Sequence, residues 1–280
     1  MKEGNKRMNV KNSDLTNCQF IATELITQFN AMIKEANNIV DNDDLLKQAS
    51  IIAEKIINIT LRTYEETHNK YTEVRGNRIK EIDEICWNTL NKYIEKYIGN
   101  NKKDISILDV GTGNGRDLIH GQRLGYNTIG IDNCNGFIEL LSIYASKGLI
   151  KKDSYMRCDM RALKFPDRSF DVVRHNATLL HLPLIGKKYT VDLALSEAHR
   201  VLKENGLLHI FVKTGSTLEI LDTNENLGGR VFQFFTHEKL SDVVTRNNFT
   251  ILHSSDEVEI REKNKIDWIL LIAQKHTLLR

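Results

Sequence analysis

The chain of 280 residues holds only two prolines and four cysteines. Pro166 follows Phe165 and Pro183 follows Leu182, so Pro-Pro, Asn-Pro, Asp-Pro and Pro-Cys dipeptides do not occur. Cys18, Cys86, Cys134 and Cys158 include no C-x-x-C pair and no dense spacing, which excludes a disulfide framework and reads as free thiols in a reducing compartment. No H-E-x-x-H sequence occurs and the nine histidines show no ligand spacing, so no metal is expected. Apolar runs such as Trp268–Ala273 are far too short to cross a bilayer. The N-terminal residues carry charges with no apolar run behind them, unlike a secretory leader. Net charge is lacking too: Lys+Arg 39 against Asp+Glu 37 leaves +2, which gives nucleic acid no bulk field to answer. What is present, 41% hydrophobic and 27% charged residues, is ordinary for a folded domain with a sizeable core. The expectation is a soluble, cytoplasmic protein with no membrane partner.

The first hundred residues carry helical periodicity. Ile21, Leu25, Phe29, Met32 and Ala36 recur behind Ser13-Asp14, and Leu45, Ala49, Ile52, Ile56 and Ile59 behind Asp43-Asp44. A third stripe, Ile79, Ile82, Cys86, Leu90, Tyr93 and Tyr97, stops at Gly99-Asn100. From residue 105 the rhythm becomes strand, turn, helix: strands at 105–110, 127–131, 155–158, 170–174 and 207–212, with helices at 116–124, 137–147 and 190–203. Such alternation predicts a mostly parallel sheet covered on both faces. After a helix at 236–247, strands at 249–254 and 266–274 are joined by too few residues for a helix, which predicts an antiparallel pair.

The chemistry-bearing segment is ILDVGTGNG, Ile107 to Gly115, between the first strand and its helix. Gly111, Gly113 and Gly115 let the backbone turn tightly and approach a ligand that a Cβ would obstruct. Asp132, ending the next strand, stands where a carboxylate accepts hydrogen bonds from ribose hydroxyls. A nicotinamide dinucleotide calls for glycine or alanine where this chain has Arg116. A phosphate-free nucleoside with an acidic residue before the loop, here Asp109, suits the pattern better.

These residues resemble a class I S-adenosylmethionine-dependent methyltransferase over roughly 63–280. The resemblance implies a Rossmann-like α/β sheet, mostly parallel with an antiparallel last strand, its core starting near residue 104, and a helical N-terminal cap at 1–62. It further implies S-adenosyl-L-methionine as cofactor, S-adenosyl-L-homocysteine as product, and the following contacts. Asp109, Gly111, Thr112, Gly113, Asn114 and Gly115 would hold the amino-acid part, Asp132 the ribose, and Asn133 the adenine edge. In RCDMRALKF, Asp159 would meet the adenine amino group and Met160 its ring; in the loop after the fourth strand, His175 and Asn176 would lie near the methionyl end. Upstream, Tyr64–Tyr71 resembles the Y-D-x-x-A-x-x-Y segment of small-molecule members, with Glu65 and His68 replacing Asp and Ala. There Tyr71 and Arg75 would contact the cofactor, and Tyr64 the acceptor. Two tyrosines seven apart share a helix face and could wall off a sulfonium cation.

The missing prolines now acquire meaning. Family members that methylate flipped bases use (D/N)-P-P-(Y/F) or N-L-P-Y-like loops, or a Pro-Cys nucleophile, and none exists here. The insert between Val212 and Thr236 is where specificity is expected. Arg230 is a candidate clamp for a substrate carboxylate or phosphate, and Phe234 a candidate apolar wall. His181 is the candidate general base. The favoured reading is methyl transfer to an O or N atom of a small molecule. Transfer to RNA such as tRNA or to a protein side chain stays open, since residues 150–168 carry six basic against three acidic groups. A non-catalytic interaction protein is the third reading, and the N-terminal helices are candidates for a homodimer interface.

Overall fold

The computed structural model describes residues 12–38, 42–222, 228–261 and 264–276. Residues 1–11 of the expected cap and 223–227 of the expected insert lie outside these, as does the Cys18 side chain. Two helices lead the chain, α1 (Asn12–Ala36) and α2 (Asp43–Arg75). Ala22, Ile26 and Phe29 of α1 meet Ala49, Ile52, Ala53 and Ile56 of α2, an i, i+3, i+4, i+7 stripe that explains both helices. α2 runs unbroken through the boundary expected at 62/63, because the stripe continues through Thr60 and Thr63 without a Gly or Pro to stop it; Gly76 ends it. α3 (Glu81–Tyr97) follows.

The sheet then forms from β1 (Ser106–Val110), β2 (Asn127–Asp132), β3 (Tyr155–Arg157), β4 (Phe170–Asn176) and β5 (Leu202–Lys213), completed by β8 (Phe249–Arg261) and β9 (Asn264–Lys275). Its order is β3-β2-β1-β4-β5-β9-β8. The first five strands are parallel, and β9 runs antiparallel between β5 and β8. Strand alternation sorts the core: Ile107, Val172, Leu207 and Ile272 face α3 through Trp87, Leu90 and Ile94. Leu108, Val173, Leu208 and Leu271 face the opposite layer, α6 (Thr190–Val201) and α7 (His237–Arg246). The crossovers α4 (Arg116–Arg123) and α5 (Asn135–Ser146) complete the α/β framework expected from the sequence.

The region between β5 and α7 differs from a plain insert. It folds as an antiparallel hairpin, β6 (Leu218–Asp222) with β7 (Gly229–Gln233), and Leu218 and Val231 pack onto α1 and α2. That contact roofs the carboxyl ends of the sheet with the hairpin and the N-terminal helices. Among the described residues no helix is long and apolar enough to cross a membrane, and no group of His, Cys, Asp or Glu could hold a metal ion.

Candidate active site

The loop after β1 turns on three left-handed glycines, with φ of +68° at Gly111, +53° at Gly113 and +77° at Gly115. A Cβ on Gly111 would lie 2.2 Å from Thr178 Oγ1, and one on Gly115 2.5 Å from Leu141. At Gly113 only the Gly111 carbonyl comes as close as 4.0 Å, so a Cβ would project into open space. That space is a cleft at the carboxyl ends of the strands, with about 1030 Å³ free of atoms including its open mouth. The Gly113 amide donates to Asp132 Oδ2 at 2.9 Å and the Cys134 amide to Oδ1 at 2.9 Å. Burial pushes the Asp132 carboxyl up to about 6, against these amides, which favour the ionised form.

α2 supplies the opposite wall. Tyr64 and Tyr71 meet edge to face with centroids 5.8 Å apart, and both pack on Phe137 of α5. Glu65, between them in sequence, accepts the amides of Asn135 (2.7 Å) and Gly136 (3.2 Å), placing a carboxylate on the N-terminus of α5. The Tyr64 hydroxyl lies 2.9 Å from His181 Nε2, and His181 Nδ1 lies 3.0 Å from the Val231 carbonyl. A carbonyl only accepts, so Nδ1 carries the proton, and Nε2 of the neutral ring accepts from Tyr64. Burial lowers His181 to about 3 and raises Tyr64 to about 12. Arg230 Nη1 donates to the same phenol oxygen at 3.3 Å.

A second lobe, about 660 Å³ free of atoms, opens beyond this wall. Tyr64, Tyr71, Arg116, Asn176, Ala177 and His181 line both lobes, so the two spaces share one partition. Beneath the loop, a buried chain of charges braces it. Arg174 is fully buried, 2.8 Å from Asp117 and 3.5 Å from Asp109, with its guanidinium 4.6 Å from the Trp87 ring centre. Arg116 pairs with Asp83 at 3.1 Å. Asp117 also accepts from Trp87 Nε1 (2.8 Å) and Asn176 Nδ2 (2.9 Å); against its burial, the neighbouring arginines and these donors hold its carboxyl well below the usual range.

Residues 108–210 match a family model described as a methyltransferase domain. Over that stretch the chain is similar to a methyltransferase domain. Sterol 24-C-methyltransferase erg6 of Aspergillus fumigatus is 32% identical over 114 residues, 39% of this chain and 28% of that protein. Ubiquinone biosynthesis O-methyltransferase of Pelagibacter ubique is 28% identical over 167 residues, 59% and 62% of the two chains. The chain thus spans between about a quarter and under two thirds of the length of these curated relatives. The fold is similar to that of the Burkholderia thailandensis 1,6-didemethyltoxoflavin-N1-methyltransferase solved with 1,6-didemethyltoxoflavin and S-adenosylhomocysteine. The TM-score is 0.56 at 17% identity, over 78% of this chain and 87% of that one. An S-adenosylmethionine-dependent methyltransferase of Methanosarcina mazei gives a TM-score of 0.55 at 24% identity, over 66% and 97%.

The fold brings most of the residues singled out in the sequence to the cleft. Gly111, Thr112, Gly113, Asn114, Asp132, Asn133, Asp159, Met160, Asn176, Tyr64, Tyr71 and His181 line the first lobe. Arg75 and Arg230 line the second. Asp159 does so with its carboxylate held by Arg161 at 2.8 Å.

Four expected residues are not in the lining of either lobe, each for a definite reason. Asp109 is 2% exposed and turned back to accept the Thr112 hydroxyl at 2.6 Å, so it braces the loop from behind. Gly115 sits behind the loop against Leu141. His175 alternates with Arg174 and Asn176 along β4, so the pleat that aims Asn176 at Asp117 sends His175 to the other face. Phe234 follows the end of β7, where its amide donates to Thr217 and its ring lies over Gly215; Phe232, in register with Arg230, takes the wall position. Missed in the sequence were Phe137, Lys213, Glu259 and Trp268, which converge from α5, β5, β8 and β9. Running the Tyr64 face back along α2 in steps of three and four would have found Leu61, Thr60 and Ile57.

Proposed function

We propose that this chain is a methyltransferase that uses S-adenosylmethionine to methylate an oxygen or nitrogen atom of a small molecule. The observation that carries the reading is the open space facing Gly113, with Asp132 beside it: backbone bare enough for close approach, and a carboxylate suited to a diol. The group fits this cradle. Asp132 would hold the ribose, Asn133, Asp159 and Met160 the adenine, and Gly111–Asn114 with Tyr71 and Arg75 the amino-acid end. When bound, it would supply an electrophilic methyl group and leave as a neutral thioether, the proton of the methylated O–H or N–H passing to solvent.

The chain's own side chains then orient and shelter. Tyr64, Tyr71 and Phe137 exclude water from the partition between the lobes. The Tyr64 oxygen, its proton directed at His181 and one lone pair taken by Arg230, presents its remaining lone pair to an acceptor's O–H or N–H. His181, kept neutral by burial, serves as the positioning residue behind Tyr64. Orientation of this kind is worth effective molarities up to ~10⁵–10⁸ M. Residues 1–62 act as the cap over residues 63–280, with Val231 of the hairpin and Ile52 of α2 in one apolar cluster. Phe20 and Ile21 of α1 and Ile51 of α2 are exposed, the face a homodimer would use.

The recess of the second lobe favours a small acceptor over RNA or a protein side chain, and the relatives named for sterol and ubiquinone-pathway methylation point the same way. Incubation with methyl-labelled donor and a cell extract, followed by separation by size, tests this. Label below a few kilodaltons supports the reading, label on macromolecules refutes the small-molecule part, and calorimetry showing no S-adenosylhomocysteine binding refutes the whole.

A further inference from the structure

The second lobe has a charge pattern that its neighbour lacks. Its lining contains Arg75, Lys80, Arg116, Lys213 and Arg230 against Asp83 and Glu259, five basic groups to two acidic. Asp83 is paired with Arg116 at 3.1 Å. Glu259 accepts the Trp268 indole N–H at 3.2 Å. These groups interact with the protein around them, and the lobe as a whole still carries an excess of positive charge. Two of the cations flank a single ring: Lys213 Nζ is 4.4 Å, and the Arg230 guanidinium 5.5 Å, from the Phe232 centroid. Lys213 also faces Trp268 at 5.8 Å, and Arg230 faces Tyr64 at 5.4 Å and Tyr71 at 6.0 Å. Arg230 is 3% exposed.

Taking the methyltransferase reading of the adjoining lobe as given, we infer that the acceptor bears an acidic oxyanion group, a carboxylate or phosphate, bound by Arg230 and Lys213. Its apolar body lies against Phe232, Trp268 and Phe211, the last two stacked at 4.5 Å. The acid is the handle and a different atom is methylated, so the product keeps its negative charge. The donor strengthens the selection: its sulfonium and ammonium outweigh its carboxylate, and a cationic amine entering a basic lobe beside it would be repelled. An oxyanion instead gains charge-assisted hydrogen bonds from a guanidinium and an ammonium at once.

The test follows the charge of the product. Protein, methyl-labelled donor and the low-molecular-mass fraction of a cell extract are incubated, and the labelled product is applied to anion and cation exchangers at pH 7. Retention by the anion exchanger alone is expected. Label in a neutral or cationic product overturns the inference and leaves the methyltransferase reading standing; no labelled small product overturns the inference together with the small-molecule part of that reading, and calorimetric S-adenosylhomocysteine binding decides separately whether the methyltransferase reading stands. With the purified acceptor, Lys213→Gln and Arg230→Gln should each raise KM at least tenfold, with little change in kcat for Lys213→Gln and with S-adenosylhomocysteine affinity unchanged by calorimetry. Arg230→Lys should recover part of the loss. Unchanged acceptor KM in Lys213→Gln, the less buried of the two sites, overturns the clamp even if Arg230→Gln fails to fold.

Discussion

The Tyr64 hydroxyl donates to His181 Nε2 across 2.9 Å, linking α2 to the short turn after β4 over 117 positions of sequence. The same imidazole is anchored at Nδ1 by the Val231 carbonyl, so hairpin, turn and cap meet at one ring. Because burial lowers His181 to about 3, the ring is neutral throughout the working range of pH. Tyr64→Phe should therefore reduce turnover at least tenfold, and His181→Ala comparably. Neither should remove an inflection near pH 6.5 from the rate profile. A wild-type inflection there that vanishes in His181→Ala would make the imidazole a titrating base and refute the positioning role.

Asp132 predicts the pH dependence of donor binding. Its carboxyl is pushed up to about 6, and only the ionised form can accept from two hydroxyls. Calorimetric affinity for S-adenosylhomocysteine should be flat above pH 7. It should fall about tenfold per pH unit well below 6, where each bound ligand must first displace a proton. Asp132→Asn should bind weakly at every pH and lose this slope; an unchanged slope in that variant would assign it to another group.

The glycines of the loop predict two different failures. Gly111→Ala forces a Cβ to 2.2 Å from Thr178 Oγ1 and should destabilise the fold as well as abolish donor binding. Gly113→Ala meets no such neighbour, so its folding cost is that of a left-handed alanine, roughly 1–2 kcal/mol. Its methyl group points into the cleft, and donor affinity should nevertheless fall at least a hundredfold. Thermal melts with and without S-adenosylhomocysteine separate the two effects.

The parts of this architecture that were legible in the sequence are those where backbone geometry restricts residue type. Gly111, Gly113 and Asp132 mark a left-handed loop and a strand end, and Tyr64 with Tyr71 marks one helical face. The mostly parallel sheet and the antiparallel pairing of its last two strands followed from connection lengths, whereas the order of the strands did not. His175 and Asn176 were not separable, because alternation says that they face apart but not which of them faces the cleft. Phe232 and Phe234 share a parity, and only the end of β7 at Gln233 decides between them. Lys213, Glu259 and Trp268 were invisible as a group, since their convergence is produced by the register of β5, β8 and β9.

His175 offers a prediction about stability in acid. It is 1% exposed, neither ring nitrogen has a hydrogen-bond partner in the protein, and burial alone lowers it to about 4. A histidine depressed below its unfolded value of 6.5 contributes stability fully above pH 6.5, and that stability is lost as pH falls toward 4. Per group the loss is about 1.4 kcal/mol for each pH unit. Buried carboxyls raised in the fold, such as Asp132 and Asp109, move the opposite way over part of this range, so wild type alone would show a blunted slope. The difference between wild type and His175→Phe removes that contribution. The phenylalanine variant keeps an aromatic ring and discards two unsatisfied polar atoms, whose burial costs about 1–3 kcal/mol each when unpaired. Its denaturant midpoint at pH 7.5 should equal or exceed that of wild type, and its stability advantage should widen by about 2.5 kcal/mol by pH 4.5. A gap that stays constant between those two pH values would mean that the imidazole finds a partner or solvent in the folded protein, and that β4 does not bury it as described.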